Sequence, residues 1–203
     1  MENKTPRPSA EIKDEFISVY KENITREGSE ALLGFLSEKS DFFTAPASTK
    51  YHSSYEGGLA QHSLNVYYCL RDILSRPRLH EVYGIKEYTP EQIAIVSLLH
   101  DICKTDIYKV EYRNAKNERG QWEKVPFYRI DDALPYGHGE KSVYMISGYM
   151  RLSREEAMAI RWHMGFSYGD PSERGTIGKA LETYPLAFAL STADMEASYF
   201  LEG

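Results

Sequence analysis

The chain has 203 residues, 42% of them hydrophobic and 27% charged, with a formal net charge of −6; this is enough for one domain with a substantial core (residues 1–203) and too short for two independent ones. The acidic balance argues against a long nucleic acid as partner, because that binding rests on many Lys and Arg side chains neutralising phosphates. No apolar run is long enough to span a bilayer, and the opening MENKTPRPSA lacks a signal-type apolar stretch, so no membrane association and a cytoplasmic location are expected.

The first residues are polar and carry two prolines, which predicts a loose tail until Ser9 caps a helix running past Phe16, Val19 and Tyr20. A short helix after Ser29 would bury Leu32, Leu33, Phe35 and Leu36. Residues 44–58, with Pro46 and the pair Gly57 and Gly58, form an ordered loop, so residues 1–56 supply the N-terminal helices and loop and 57–200 the main body. From Leu59 to about Ser75, Leu59, His62, Val66, Cys69 and Ile73 recur on one helix face, and Pro77 closes the helix. Thr89, Pro90 and Gln92 give an N-cap, a proline at the first helical position and a capping-box partner for the apolar run IAIVSLL, a central helix.

The period then changes. Tyr108, Val110 and Tyr112 alternate with Lys109, Glu111 and Arg113, and after NERG the run WEKVPFYRI is rich in aromatic and β-branched residues. This predicts a β-hairpin over about 105–132 inserted into an all-α body, with Pro126 confining its second strand to an edge. Helical sequence resumes just after His138 in GHGEKS. A second capping box, Ser153 with Glu156, starts a helix carrying Arg161, Trp162 and His163 that stops near Gly165. The last helix begins near Pro185 and carries Asp194, with Ala187, Ala189, Ala193 and Ala197 permitting close packing. Cys69 and Cys103 lie in apolar helical sequence and read as buried thiols, not as a disulfide.

The residues that carry chemistry fall in the order His62, His100, Asp101, His138, His163, Asp194. Imidazole and carboxylate are ligands for first-row transition metals, and a carboxylate able to bridge two ions suits a two-metal hydrolytic site. Asp101 is the natural bridge. An ionisable pair at the end of a buried helix costs several kcal/mol of desolvation unless a divalent ion compensates it. His52 and His80 fall outside this set and read as ordinary hydrogen-bonded histidines. No Ser-His-Asp or reactive-cysteine signature competes.

His62, His100-Asp101 and Asp194, within the local sequences GGLAQHS and LLHDICK, resemble the H…HD…D signature of the HD-domain metal-dependent phosphohydrolases. His138 and His163, the former in GHGEKS, are similar to the added ligands of the dinuclear branch. The resemblance covers about residues 57–194 and implies the helical HD fold. It further implies that His62, His100, Asp101 and Asp194 bind one divalent ion and Asp101, His138 and His163 a second. The mixed imidazole and carboxylate set suits iron or manganese first, with zinc, nickel or cobalt as alternatives. Lys104, one turn after the pair, matches a phosphate-contacting lysine. The implied reaction is hydrolysis of a phosphoester of a nucleotide or related small compound by a metal-bridging water, with Asp101 and Lys104 as catalytic residues. Lys141 and Arg161 are either further phosphate binders or solvated charges, and Gly137 and Gly139 either approach substrate or only form a turn. The hairpin, whose Lys109 and neighbouring basic residues interleave with aromatics, is either a lid that grips phosphate and base or a surface packed on the body or on a second copy of the chain. The GYP motif of one cyclic-dinucleotide branch is absent. Two alternatives stand beside this reading: a non-catalytic metal- or nucleotide-binding sensor, and a mononuclear 5'-nucleotidase-like phosphomonoesterase.

Overall fold

The computed structural model describes residues 7–49, 53–167 and 171–202; His52 and the first part of the expected N-terminal tail lie outside them. It is a helical body with one inserted antiparallel hairpin. Helix α1 spans Ser9–Asn23 and α2 Ser29–Gly34, the latter continued by a π-helical turn Phe35–Lys39. Ser9 is the first helical residue rather than the cap. The extended Pro8 takes that place, and its carbonyl accepts from Ile12 N at 3.2 Å.

Helix α3, Gly58–Leu74, buries the expected face except at Cys69, which is only half-buried; both cysteines are free. Pro77 does more than end α3: it opens the short helix α4, Pro77–Glu81, from its first position, where a missing N–H costs nothing. Helix α5, Pro90–Leu99, carries the capping box in full, with Gln92 N donating to Thr89 Oγ1 at 3.2 Å and Thr89 N to Gln92 Oε1 at 3.1 Å. Residues 94–99 are all buried, as a helix apolar on every side requires, and α5 packs against α3, α1 and α7.

Strands β1, Tyr108–Lys116, and β2, Trp122–Ile130, pair from Tyr108 opposite Ile130 to Lys116 opposite Trp122, with Pro126 opposite Tyr112. The turn holds together through Asn117, whose Oδ1 accepts from Arg119 N and Gln121 N, both at 3.0 Å. The alternating apolar face is not buried: Val110, Tyr112, Trp122 and Ile130 are exposed. Lys116 lies over Trp122 and Arg113 over Phe127 instead, so basic side chains cover aromatic faces. The hairpin is fixed at its root, where Tyr108 Oη donates to Ala47 O at 3.4 Å and Asp131 N to Ile107 O at 2.8 Å.

Helices α6, His138–Ser147; α7, Arg154–Arg161; α8, Arg174–Thr183; and α9, Pro185–Glu196, complete the body. The second capping box forms as expected, and its Glu156 also takes a two-pronged ion pair from Arg26, with Nη1–Oε2 at 2.8 Å and Nη2–Oε1 at 2.9 Å. The structure adds α4 and α8 to the expected helices. Gly175 and Gly178 dilute the helical signal of α8, which tertiary packing on α9 overrides. One contiguous core runs from Ile12 to Ala197. A π-helical turn, Ala197–Leu201, then continues α9.

Candidate metal centre

The expected ligands converge, largely from helix ends. Helix α5 stops at Leu99, and Asp101 adopts φ −111°, ψ 16°, outside helical geometry. The 100° separation of neighbouring helical side chains therefore does not hold across the pair, and His100 and Asp101 turn into one cluster. α7 ends at Arg161, with Trp162 at φ −111°, so His163 lies beyond the helix and not on it. His138 is the first residue of α6. His62, in the first turns of α3, and Asp194, near the end of α9, project from inside their helices.

Two glycines permit this convergence. A Cβ on Gly58 would lie 2.0 Å from Ser53 O, so the start of α3 can meet the loop before it only without a side chain. On Gly139 a Cβ would lie 2.3 Å from Arg161 O and 2.8 Å from Ile160 O. Gly139 thus lets α6 approach the end of α7 and sets His138 beside His163, their ring centroids 5.2 Å apart.

Asp101 is the centre. Its Oδ2 lies 3.5 Å from His100 Nε2 and 3.8 Å from His62 Nε2, while its Oδ1 lies 2.9 Å from His138 Nε2 and 3.5 Å from His163 Nε2. Asp194 Oδ1 adds a contact of 3.1 Å to His62 Nε2, and His62 Nε2 faces His100 Nε2 at 3.3 Å. His62, His100, Asp101 and His163 are at most 2% exposed, whereas His138, Asp194 and Lys104 retain 13–19%, so solvent reaches the cluster from their side.

The outer nitrogens are tied down. His100 Nδ1 donates to Ser97 O and His163 Nδ1 to Ile160 O, both at 2.7 Å. His62 Nδ1 meets the Glu202 carboxylate at 3.1 and 3.2 Å, and His138 Nδ1 lies 3.5 Å from Cys103 Sγ. A proton kept on Nδ1 would leave each Nε2 free to give its lone pair to an ion, the tautomer a metal ligand needs. Among the described residues, Asp101 Oδ1 and His163 Nε2 are buried without an aligned hydrogen bond. Ligand-type atoms gathered in this way at the middle of a His/Asp cluster fit a divalent ion. Three overlapping groups have the required proximity: His62 with His100 and Asp194; His100 with Asp101 and His163; and Asp101 with Cys103 and His138.

The cluster is also strongly polarised. Burial pushes the Asp101 carboxyl up, but Lys104, His100 and His138 outweigh it and hold the group well below the usual carboxylate range. Burial likewise opposes the Asp194 charge, and His62 overcomes it. Desolvation pulls the His62 imidazolium down, while Glu202 and Asp194 carry it up to about 10. His138, also desolvated, is raised to about 9 by Asp101. Burial works against the Lys104 ammonium, yet Asp101, 2.7 Å away, raises it.

The other expected phosphate binders are each paired with a carboxylate. Lys141, buried, meets Asp132 at 2.7 Å; Arg161 pairs with Glu140 and stacks on Trp162; and Lys109, on the exposed hairpin, pairs with Asp131. His80 bridges Ile85 O and Leu74 O, an ordinary hydrogen-bonded histidine. Sequence reasoning missed Glu202, which has no periodicity or motif around it, and Cys103 as a partner of His138, although Cys103 stands inside HDICK.

A buried histidine and aspartate cluster in a helical body marks this chain as one that could hold metal ions. Over 90 residues it is 33% identical to a dihydroneopterin 2',3'-cyclic phosphate phosphodiesterase of Methanocaldococcus jannaschii, a match covering 43% of this chain and 31% of that protein. The chain thus spans about a third of the length of this curated relative. No protein-family model matches the chain, and no solved structure does. Among the described residues no helix is long and apolar enough to cross a membrane.

Proposed function

We propose that the chain is a metal-dependent phosphohydrolase of the HD type that holds two divalent ions and cleaves a phosphoester of a nucleotide or related small compound. The observation that carries this reading is the division of labour at Asp101: Oδ2 faces His62 and His100 while Oδ1 faces His138 and His163. A carboxylate so placed between two pairs of imidazoles is suited to bridge. His62, His100, Asp101 and Asp194 would hold one ion, and Asp101, His138 and His163 the other. Iron or manganese comes first among the metals that a mixed imidazole and carboxylate set suits.

Bound ions supply an activated water and Lewis acidity at the phosphoryl oxygens. The chain's own part is positional and electrostatic. Substrate enters on the side of His138, Asp194 and Lys104, where the cluster meets solvent. The Lys104 ammonium, kept charged by Asp101, lies where it can take a phosphoryl oxygen and stabilise negative charge developing there. The buried walls exclude bulk water and strengthen every such contact. No side-chain nucleophile is required.

The relative's printed activity makes a 2',3'-cyclic phosphodiester the first substrate to try, beside a linear diester and a monoester. With Mn2+ or Fe2+ supplied, hydrolysis that a chelator abolishes and metal restores is the expected result. Metal-loaded protein inert on all three classes would contradict the proposal and leave a sensor module.

A further inference from the structure

The Glu202 carboxylate lies just past the π-helical turn Ala197–Leu201, and its side chain is only 3% exposed. Three donors converge on it: His62 Nδ1 at 3.1 and 3.2 Å, Asn65 Nδ2 at 2.8 Å and Ser53 Oγ at 2.8 Å. Asn65 is itself set by Gln61, one turn earlier in α3, through a contact of 2.9 Å. The network draws on the loop before α3, on α3 and on the turn after α9.

We infer that Glu202 is a positioning residue for the metal centre: its carboxylate holds His62 with Nε2 turned inward and strengthens the grip of the His62, His100 and Asp194 group on its ion. A carboxylate accepting from the outer nitrogen of an imidazole fixes the tautomer and ring angle and makes the inner nitrogen a better donor, and losing such a partner typically costs 10–100-fold in metal affinity. The carbonyl oxygens behind His100 and His163 orient those rings without a full negative charge. Three converging donors also hold the carboxylate, so it can impose an angle on the ring instead of following it. This inference rests on the metal reading proposed above.

The test uses the full chain, titrated separately with Mn2+ and Zn2+ by calorimetry, comparing wild type with Glu202→Ala and Glu202→Gln. Gln keeps one oxygen for His62 and Asn65, and the Ser53 hydroxyl can rotate to accept from the amide, so this variant retains the contacts and loses the charge. Glu202→Ala is expected to weaken one of two ions about 10–100-fold and leave the other unchanged, with Glu202→Gln intermediate. In the Zn2+-loaded protein, the Nδ1–H of His62 should exchange slowly with water in wild type, where Glu202 accepts from it, and faster in Glu202→Ala. A purely structural role would lower the melting temperature of the Ala variant without moving either reading in the folded protein, and would overturn the inference. If wild type takes up two ions and hydrolyses phosphoesters while both variants load like wild type, only the role of Glu202 falls. If wild type takes up no metal, the functional proposal falls and this inference with it.

Discussion

Replacing Gly139 by alanine adds one methyl group and removes no ligand, yet it should cost the cluster its His138 side. The new Cβ would lie 2.3 Å from Arg161 O and 2.8 Å from Ile160 O. Ordinary carbon contacts begin near 3.5 Å, so α6 and the end of α7 must separate by roughly 1 Å. Both elements carry cluster residues: His138 immediately precedes Gly139, and His163 is anchored by its bond to the same Ile160 carbonyl. Metal–ligand distances tolerate only about 0.2 Å, so a displacement of that size removes His138 or His163 from a shared ion. Overpacking a tight contact costs about 1–3 kcal/mol, which a fold with this core survives. Gly139→Ala is therefore expected to fold with a lowered melting temperature and to bind about one ion fewer than wild type by mass spectrometry under native conditions. Wild-type stability together with wild-type metal content would refute the close-approach argument.

Asp101→Asn should abolish binding of both ions and, by leaving the Lys104 ammonium beside a neutral amide, lower stability by about 3 kcal/mol in urea titration; retention of either ion would count against the bridging role. Glu156→Gln keeps the capping box but removes the charge that Arg26 faces, and is expected to cost about 2 kcal/mol at pH 7, less than a fully buried pair because Arg26 also reaches Glu91. Although burial opposes it, Arg26 holds the Glu156 carboxyl below its ordinary value. The stabilisation is thus fully present above the unfolded-state pKa and lost as pH falls through the folded one, so the gap between variant and wild type should close in acid; a gap independent of pH between 7 and 3 would contradict this. Excising residues 114–122 and rejoining the strands should leave metal content and melting temperature near wild type, because these residues are mainly exposed. A loss of metal would show that the hairpin supports the cluster directly.

Much of the architecture was legible in local chemistry. Thr89 with Gln92 and Ser153 with Glu156 mark helix starts because their side chains satisfy backbone donors, a rule that needs no tertiary information. The hairpin was legible as a change of period, but its exposure was not, since alternation says nothing about whether a body lies against the apolar side. Ser9 and Pro77 misled at helix ends, where one residue decides between cap and first turn. All six expected ligands meet in one cluster, yet the way they meet was hidden: sequence placed His163 on a helix and His100 and Asp101 on consecutive helical positions, while breaks after Leu99 and Arg161 aim them inward. Glu202 was invisible because its role depends on a turn folding back onto α3, which only long-range packing determines.

Metal content per chain decides whether a pair of ions sits at Asp101. Protein purified without chelator, with a His138→Ala variant beside it, should give two ions in wild type and about one in the variant. One ion in both would contradict the bridged pair, and no ion in either after reloading with Mn2+ or Fe2+ would contradict the metal centre itself.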